Sequence, residues 1–338
     1  MQFGLMLRSQ YPLEDDLQVR FSNILEQVVK AEKLGFSSIT KGSHYSTFPF
    51  NSFQQIPFLA RICAEAPSLR FNAGIVLLPL HKPLDIAEQI STLDVITNGK
   101  IIFGAGLGYR DVEFKAFGTS KKDRVRRLEE NLIAIKRLWT EEKVSMEASH
   151  FSLQDASCTP SPVQKPHPPI WIGANSDEGI KRAARFGDSY YVNPHNRIET
   201  TKRQLEMYKE ELIKLNKPFP FELPMRREVF VAEDFDKAVS LCRPYLEKKY
   251  NSYHNWGQDQ AMPEGDKDLS LDFDKLLEDR FIIGGPNEVS EKISELSSLG
   301  VNHLIMSIEW PGMPQSLVLD TMSILSEKVF PLVRENIL

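Results

Sequence analysis

The sequence predicts an α/β chain folded as one (β/α)8 TIM barrel with insertions, a single domain spanning residues 1–338. Three observations point there. Strand-like and helix-like segments alternate almost throughout, in about eight βα units. The length exceeds the roughly 250 residues of a plain barrel by enough for two insertions. No Pro- or Gly-rich linker divides the chain, which disfavours the competing architecture, an open doubly wound sheet with an added domain.

The units follow in order. Phe3–Leu7 reads as a strand and Leu17–Leu34 as an amphipathic helix, with Phe21, Ile24, Leu25, Val28 and Val29 on one face and Gly35 as its stop. Phe36–Thr40 is a second strand and Ser52–Ala66 a second helix. Phe71–Leu78 is nearly continuous in apolar residues, and the helix Leu84–Thr97 after it stops at Asn98-Gly99. Lys100–Gly104 precedes the helix Arg124–Glu141. Pro169–Gly173 is the fifth strand, followed by a helix over Glu178–Phe186 that Ser176 or Asp177 can cap. Ser189–Val192, the charged helix Thr200–Leu215, the strand Glu222–Val231 and the helix Phe235–Lys249 come next. Glu288–Leu299, His303–Ile308 and Leu317–Val333 complete the tally. The insertions fall at about 143–168, where four prolines predict an extended surface course, and at about 250–280, where Tyr250–Asp274 reads as a polar excursion able to act as a lid.

Composition narrows the function classes. Hydrophobic residues make up 41% and charged residues 26%, enough for a large core. A net charge of −5 argues against nucleic acid. No apolar stretch reaches the length of a membrane span, and the N-terminus carries no leader pattern. Cys63, Cys158 and Cys242 are far apart and odd in number, the pattern of reduced packing thiols in a cytoplasm. No metal is expected, because neither HExxH nor CxxC occurs. GxxxxGK[ST] and GxSxG are also missing, and Phe103-Gly-Ala-Gly-Leu-Gly108 lacks GxGxxG spacing.

Two glycine-rich junctions carry the positive signal. Gly173-Ala-Asn-Ser176 and Phe103-Gly-Ala-Gly-Leu-Gly-Tyr109 each close an apolar strand. Such turns leave free backbone N–H groups, at a helix N-terminus in the first case, and suggest a phosphorylated cofactor across the strand ends. Arg124, Arg126 and Arg127 open a helix at its electropositive end, which makes sense beside an anion. His44, His81, Glu113, Asn175, Ser176, Asn193, His195, Glu309 and Trp310 all follow predicted strands, on the face where barrel enzymes build their sites. Each alone is equally an ordinary loop residue; their convergence is the informative point. His44 can exchange a proton near neutral pH. His81, between two prolines, reads as structural.

These ordered motifs resemble the luciferase-like flavin-dependent monooxygenase family over nearly the whole chain. Leu34-Gly-Phe36 with His44 resembles its second unit, and Asn72-Ala-Gly-Ile-Val-Leu-Leu-Pro79 with His81 its third. Phe103–Tyr109 with Glu113-Phe114, and Arg124, Arg127 and Glu130 before Leu138-Trp139, resemble its fourth. Pro168–Ala174, Ser176 and Ala183–Asp188 resemble its fifth. Leu107 stands where the family's luciferases carry an arginine.

The resemblance implies an enzyme that uses reduced FMN, supplied by a separate flavin reductase, and O2 to oxidise a small-molecule substrate. It implies a phosphate site at Asn175, Ser176 and Gly179 with Arg124 (or Arg126 or Arg127), and a flavin platform at Gly74 and Ile75 beside Gly106 and Tyr109. His44 and Glu113 would be catalytic. It further implies a non-proline cis peptide at Gly74–Ile75 or one bond earlier, and a homodimer through helices two and three, which look apolar all round. Alternatives are a deazaflavin-coenzyme-dependent oxidoreductase of the same superfamily and a non-catalytic flavin-binding protein.

Overall fold

The computed structural model describes residues 1–8, 10–267 and 273–337. Eight parallel strands close into a barrel: β1 (Gln2–Leu7), β2 (Ser38–Lys41), β3 (Arg70–Leu77), β4 (Ile101–Gly106), β5 (Ile170–Ala174), β6 (Ser189–Val192), β7 (Pro224–Val231) and β8 (His303–Ser307). Each strand pairs with the next, and β8 pairs with both β7 and β1 and so completes the ring. The β6–β7 closure is the weakest, a single bridge at Val192 and Met225.

Helices cover the outside: α1 (Leu17–Lys33), α2 (Gln55–Ile62), α3 (Pro83–Ile96), α4 (Arg124–Thr140), α5 (Asp177–Phe186), α6 (Ile198–Lys214), α7 (Phe235–Asn255), α8 (Pro286–Ser298) and α9 (Gln315–Ile324). Asp16 Oδ1 caps α1 by accepting the N–H groups of Gln18 and Val19, and Gly35, at φ 76°, turns the chain out of it. Ile24, Val28 and Ala31 are buried from α1. Phe21 and Leu25 are only partly buried against the core.

The barrel interior is filled, not hollow. Met6, Ile102, Trp171, Tyr191 and Ile305 pack together with Ile75. Burying each of these side chains contributes about 1.5–3 kcal/mol. Below them the floor is polar: His303 Nδ1 bonds Glu222 Oε1 at 2.7 Å and Ser38 Oγ sits 2.8 Å from His303 Nε2. Arg70 Nη1 reaches the same Glu222 oxygen at 2.6 Å. These contacts fill the N-terminal end of the barrel.

Several elements differ from the sequence-based expectation. Val144–Glu147 and Ser152–Ala156 form an antiparallel hairpin inside the first insertion, which is not simply extended. The rest of that insertion lies on α3, with Gln164 N and Nε2 donating to Asp94 and Cys158 meeting Ser91. That contact explains why α3 looks apolar all round: a segment of its own chain covers a second face. Phe58, Leu59, Ile62, Ile86, Ile90 and Leu93 are buried, and Val95 and Ile96 are left about half exposed, at 46% and 54%. The surface expected for dimerisation is thus smaller than the pattern suggested.

In the second insertion, α7 continues through Tyr250 to Asn255 in spite of Pro244, so the excursion starts later than expected. Residues 268–272 of it lie outside the described residues. A short strand, Phe281–Gly284, went unpredicted; it pairs with the end of β7.

Candidate functional site

A cavity of about 440 Å³ opens at the C-terminal ends of the strands. That is within the roughly 300–1,000 Å³ of small-molecule pockets. Its walls include His44 after β2, Gly74 and Ile75 of β3, Tyr109 after β4, Arg124 of α4, Asn175 and Ser176 after β5, and His195 after β6.

On one side the wall is mostly backbone. The Gly74–Ile75 peptide is cis, and the register between β3 and β4 shifts there, between Ala73 and Val76. The alternating glycines of β4 now find their reason. A Cβ at Gly104 would come within 2.8 Å of Gly74 Cα, and one at Gly106 within 2.2 Å of Ile75 Cδ1. They admit the β3 bulge and do not cradle an anion. Gly106 itself is not part of the cavity wall, contrary to expectation, because Ile75 fills the space above it. Gly108, at φ 72°, turns the chain toward Tyr109.

At the α5 end, Ser176 caps the helix by accepting the Gly179 N–H at 3.2 Å. Gly179 is consequently spent on the cap and also stays out of the wall. Arg124 faces the cavity with Nη1 on the Gly108 carbonyl at 2.9 Å, and burial lowers its pKa. The neighbouring arginines point elsewhere: Arg126 pairs with Asp123, and Arg127 Nε donates to the Pro79 carbonyl. Arg124 and the α5 N-terminus are therefore suited to a phosphate, and the flat β3 bulge between glycines is suited to a planar ring. The residues fit a phosphorylated flavin; what such a group supplies is its own redox chemistry.

His44 stands on the opposite rim. Its Nδ1 lies 3.0 Å from Glu113 Oε1. That oxygen also accepts the Tyr45 N–H at 2.9 Å and faces Arg110 Nη1 at 3.5 Å. An oxygen that already accepts from those donors makes Nδ1–H the donor from His44, leaving Nε2 as a lone pair toward the cavity. Glu113 is fully buried behind the ring and does not reach the cavity. It stands behind the ring it holds, so the structure does not give it the contact with a bound molecule that the catalytic assignment expected. His81 is likewise behind the site, 3.2 Å from the Tyr45 hydroxyl. Trp256, just past α7, packs edge-on to His44 at 5.7 Å and lies under Arg110 at 4.3 Å.

The far wall was only partly foreseen. Glu309 was expected there after a strand; Arg8, Arg226, Lys249, Tyr253 and Met262, which also line it, were not. Lys249 Nζ and Trp310 Nε1 donate to the two oxygens of the buried Glu228, at 2.6 and 2.7 Å. Burial pushes the Glu228 carboxyl upward, yet Lys249 and Arg226 outweigh it and hold it below its ordinary range. Tyr109 is pushed the other way: burial, with Tyr253 and Glu113 nearby, raises its phenol so that it stays protonated. The available signal was Arg226-Arg227-Glu228, three consecutive charges inside an otherwise apolar strand.

Comparison with known proteins agrees with this architecture. The luciferase-like monooxygenase profile matches residues 1–303. An FMNH2-dependent dimethylsulfone monooxygenase of Pseudomonas putida is 26% identical over 272 residues, covering 76% of this chain and 74% of that protein. An F420-dependent glucose-6-phosphate dehydrogenase of Intrasporangium calvum is 25% identical over 324 residues, covering 89% and 92%. A further relative, from Sinorhizobium fredii, is matched over only 51% of its length. The crystal structure of a monooxygenase from Streptomyces bottropensis superposes with a TM-score of 0.85 at 25% identity, covering 98% of this chain and 99% of that one. The chain belongs to the luciferase-like monooxygenase family of oxidoreductases.

Proposed function

We propose that the protein is a flavin-dependent monooxygenase that takes reduced FMN from a separate reductase and oxidises a small organic substrate with O2. The observation that carries this reading is one cavity holding both a phosphate-suited end, at Arg124 and Ser176, and an imidazole, His44, whose Nδ1 is held by a buried carboxylate. Reduced flavin, when bound, supplies the activation of oxygen. The chain's own part is to seat the ring on Gly74–Ile75, hold the phosphate, and offer His44 Nε2 to take or return a proton. Tyr253 and Met262 line the cavity and shield it from water, and Trp256 backs the His44 ring.

A deazaflavin coenzyme is the second reading, supported by the relatives of that class, one of which aligns over 89% of this chain, as a flavin-dependent monooxygenase also does. A cytoplasmic setting and a homodimer using the exposed Val95 and Ile96 belong to the proposal; light scattering at micromolar concentration tests the latter. Among the described residues no helix is long and apolar enough to cross a membrane.

The deciding experiment is fluorescence titration with FMN, riboflavin and the deazaflavin coenzyme. FMN is expected to bind tightest. Arg124→Ala and Ser176→Ala are each expected to weaken FMN about tenfold or more and riboflavin little, since a charge-assisted hydrogen bond is worth roughly 1.5–3 kcal/mol. Equal losses for both flavins place the phosphate elsewhere, and preference for the deazaflavin coenzyme selects the second reading.

A further inference from the structure

On the far wall a second imidazole is held as deliberately as His44, but in the opposite sense. His195 is buried at 5% exposure and is part of the cavity wall. Its backbone N–H donates to Asn193 Oδ1 at 2.7 Å, and its Nδ1 lies 3.0 Å from the Tyr250 hydroxyl. That hydroxyl, also buried, has no other partner among the described residues. If Nδ1–H were the donor, the phenol hydrogen would be sealed in the protein without an acceptor, which is costly. Donation from Tyr250 O–H to Nδ1 satisfies both groups and puts the imidazole hydrogen on Nε2. Nε2 makes no hydrogen bond among the described residues and is not among the atoms the protein seals off, so it opens on the cavity.

The surroundings keep the ring neutral. Burial, then Arg226, Lys249, Arg280 and Arg227, all press His195 well below its ordinary pKa, while burial keeps the Tyr250 phenol protonated. Beside His195 on the same wall is Arg226, whose Nε is held by Ser307 Oγ at 2.9 Å and whose side chain remains 17% exposed. Arg8 is answered by Asp15 and Glu309, and Lys249 by Glu228 at 2.6 Å, whereas Arg226 comes only within 3.5 Å of Glu228. The arginine beside His195 thus keeps donor capacity for an oxygen that bears partial negative charge, without demanding a full anion.

We infer that His195 is a fixed neutral Nε2–H donor, locked by Tyr250, that anchors a carbonyl oxygen of the substrate beside Arg226. Naming the bound molecule as substrate rests on the oxidoreductase reading above; the tautomer and the donor do not.

The test begins without any flavin, on protein carrying ¹⁵N-labelled histidine, by long-range ¹H–¹⁵N correlation. His195 is expected as the neutral Nε2–H tautomer at about pH 7, and Tyr250→Phe is expected to yield a tautomer mixture. Cyclohexanone is then titrated against cyclohexanecarboxylate. The ketone is expected to shift the His195 Nε2 signal. Its affinity is expected to fall about tenfold in His195→Leu and to persist in His195→Gln, whose amide N–H replaces the donor. FMN affinity is expected to stay unchanged in both variants.

An Nδ1–H or doubly protonated ring in the wild type overturns the inference. So does ketone binding that is indifferent to His195→Leu, or a site that takes the carboxylate and not the ketone. FMN binding that weakens in step with the ketone hands the acceptor oxygen to the flavin itself and also overturns it. Should no flavin or deazaflavin bind at all, the proposed function fails while the tautomer and ketone results remain readable.

Discussion

Two histidine–carboxylate pairs sit at opposite ends of this barrel, and only one of them belongs to the candidate site. At the open end, His44 Nδ1 bonds Glu113 at 3.0 Å and the imidazole side chain keeps 20% of its surface. At the closed end, His303 Nδ1 bonds Glu222 at 2.7 Å and the ring keeps none. The difference lies in the second nitrogen. Ser38 Oγ occupies His303 Nε2, and Arg70 shares the carboxylate. His44 Nε2 has no partner among the described residues and borders the cavity. A third pair, His150 with Glu130, follows the scaffold pattern, since Asn131 Oδ1 takes its other nitrogen at 2.9 Å. A carboxylate behind a histidine therefore does not mark a functional group. What separates His44 from the other two is an unfilled nitrogen that borders a cavity.

The comparison is most open to attack at His44. With reduced flavin supplied, His44→Asn is expected to lower turnover by about 10²–10⁴, the usual yield of a positioned acid or base, with flavin affinity and urea midpoint unchanged. Stopped-flow oxidation and a denaturation curve on the same preparation check both halves. Unaltered turnover would make His44 a scaffold residue like the other two.

His303→Ala reverses the pattern. Leaving the buried Glu222 carboxylate without one of its hydrogen-bond donors is expected to cost about 3 kcal/mol of stability, seen as a lower urea midpoint, while turnover per folded molecule holds. A loss of turnover without a loss of stability would tie the barrel floor to the chemistry.

The smallest expected effect is on pH. Burial lowers the pKa of His81, His195 and His303. Their folded forms thus bind fewer protons than the unfolded chain below about pH 6.5, so stability is present above that value and falls as pH drops. Glu222 adds the same sign: burial raises it, but His303 and Arg70 outweigh burial and hold it low, so its stabilisation is also lost toward acid. A melting temperature lower at about pH 5.5 than at about pH 7.5 is expected, and in His303→Ala the gap narrows. An unchanged gap would remove His303 from the linkage.

Much of this was legible from local pattern. Strand and helix periods depend on neighbours a few residues apart, so the order of units, the Gly35 stop and a cap at Ser176 or Asp177 could be read directly, and Ser176 is the one that forms it. Seven of the ten residues assigned to the site do border the cavity, because strand ends in a barrel converge wherever the strands lie. Glu113, Gly106 and Gly179 stand behind it. Their distance from the cavity is set by what fills the space in front, namely the His44 ring, Ile75 and the Ser176 hydroxyl.

The misreadings share a cause. Phe281–Gly284 is too short to show a period, and α3 looked apolar all round because the segment that covers it comes some seventy residues later in the chain. The charges of β7 meet partners that come later in the chain, Lys249 and Trp310 on Glu228, which local pattern does not encode. Which nitrogen of a histidine stays open depends on residues far off in sequence: Ser38 is 265 positions from His303, and Glu113 is 69 from His44. Periodicity encodes which face of an element is apolar. The partner that fills the last hydrogen-bonding position, and so separates scaffold from site, arrives only when the barrel closes.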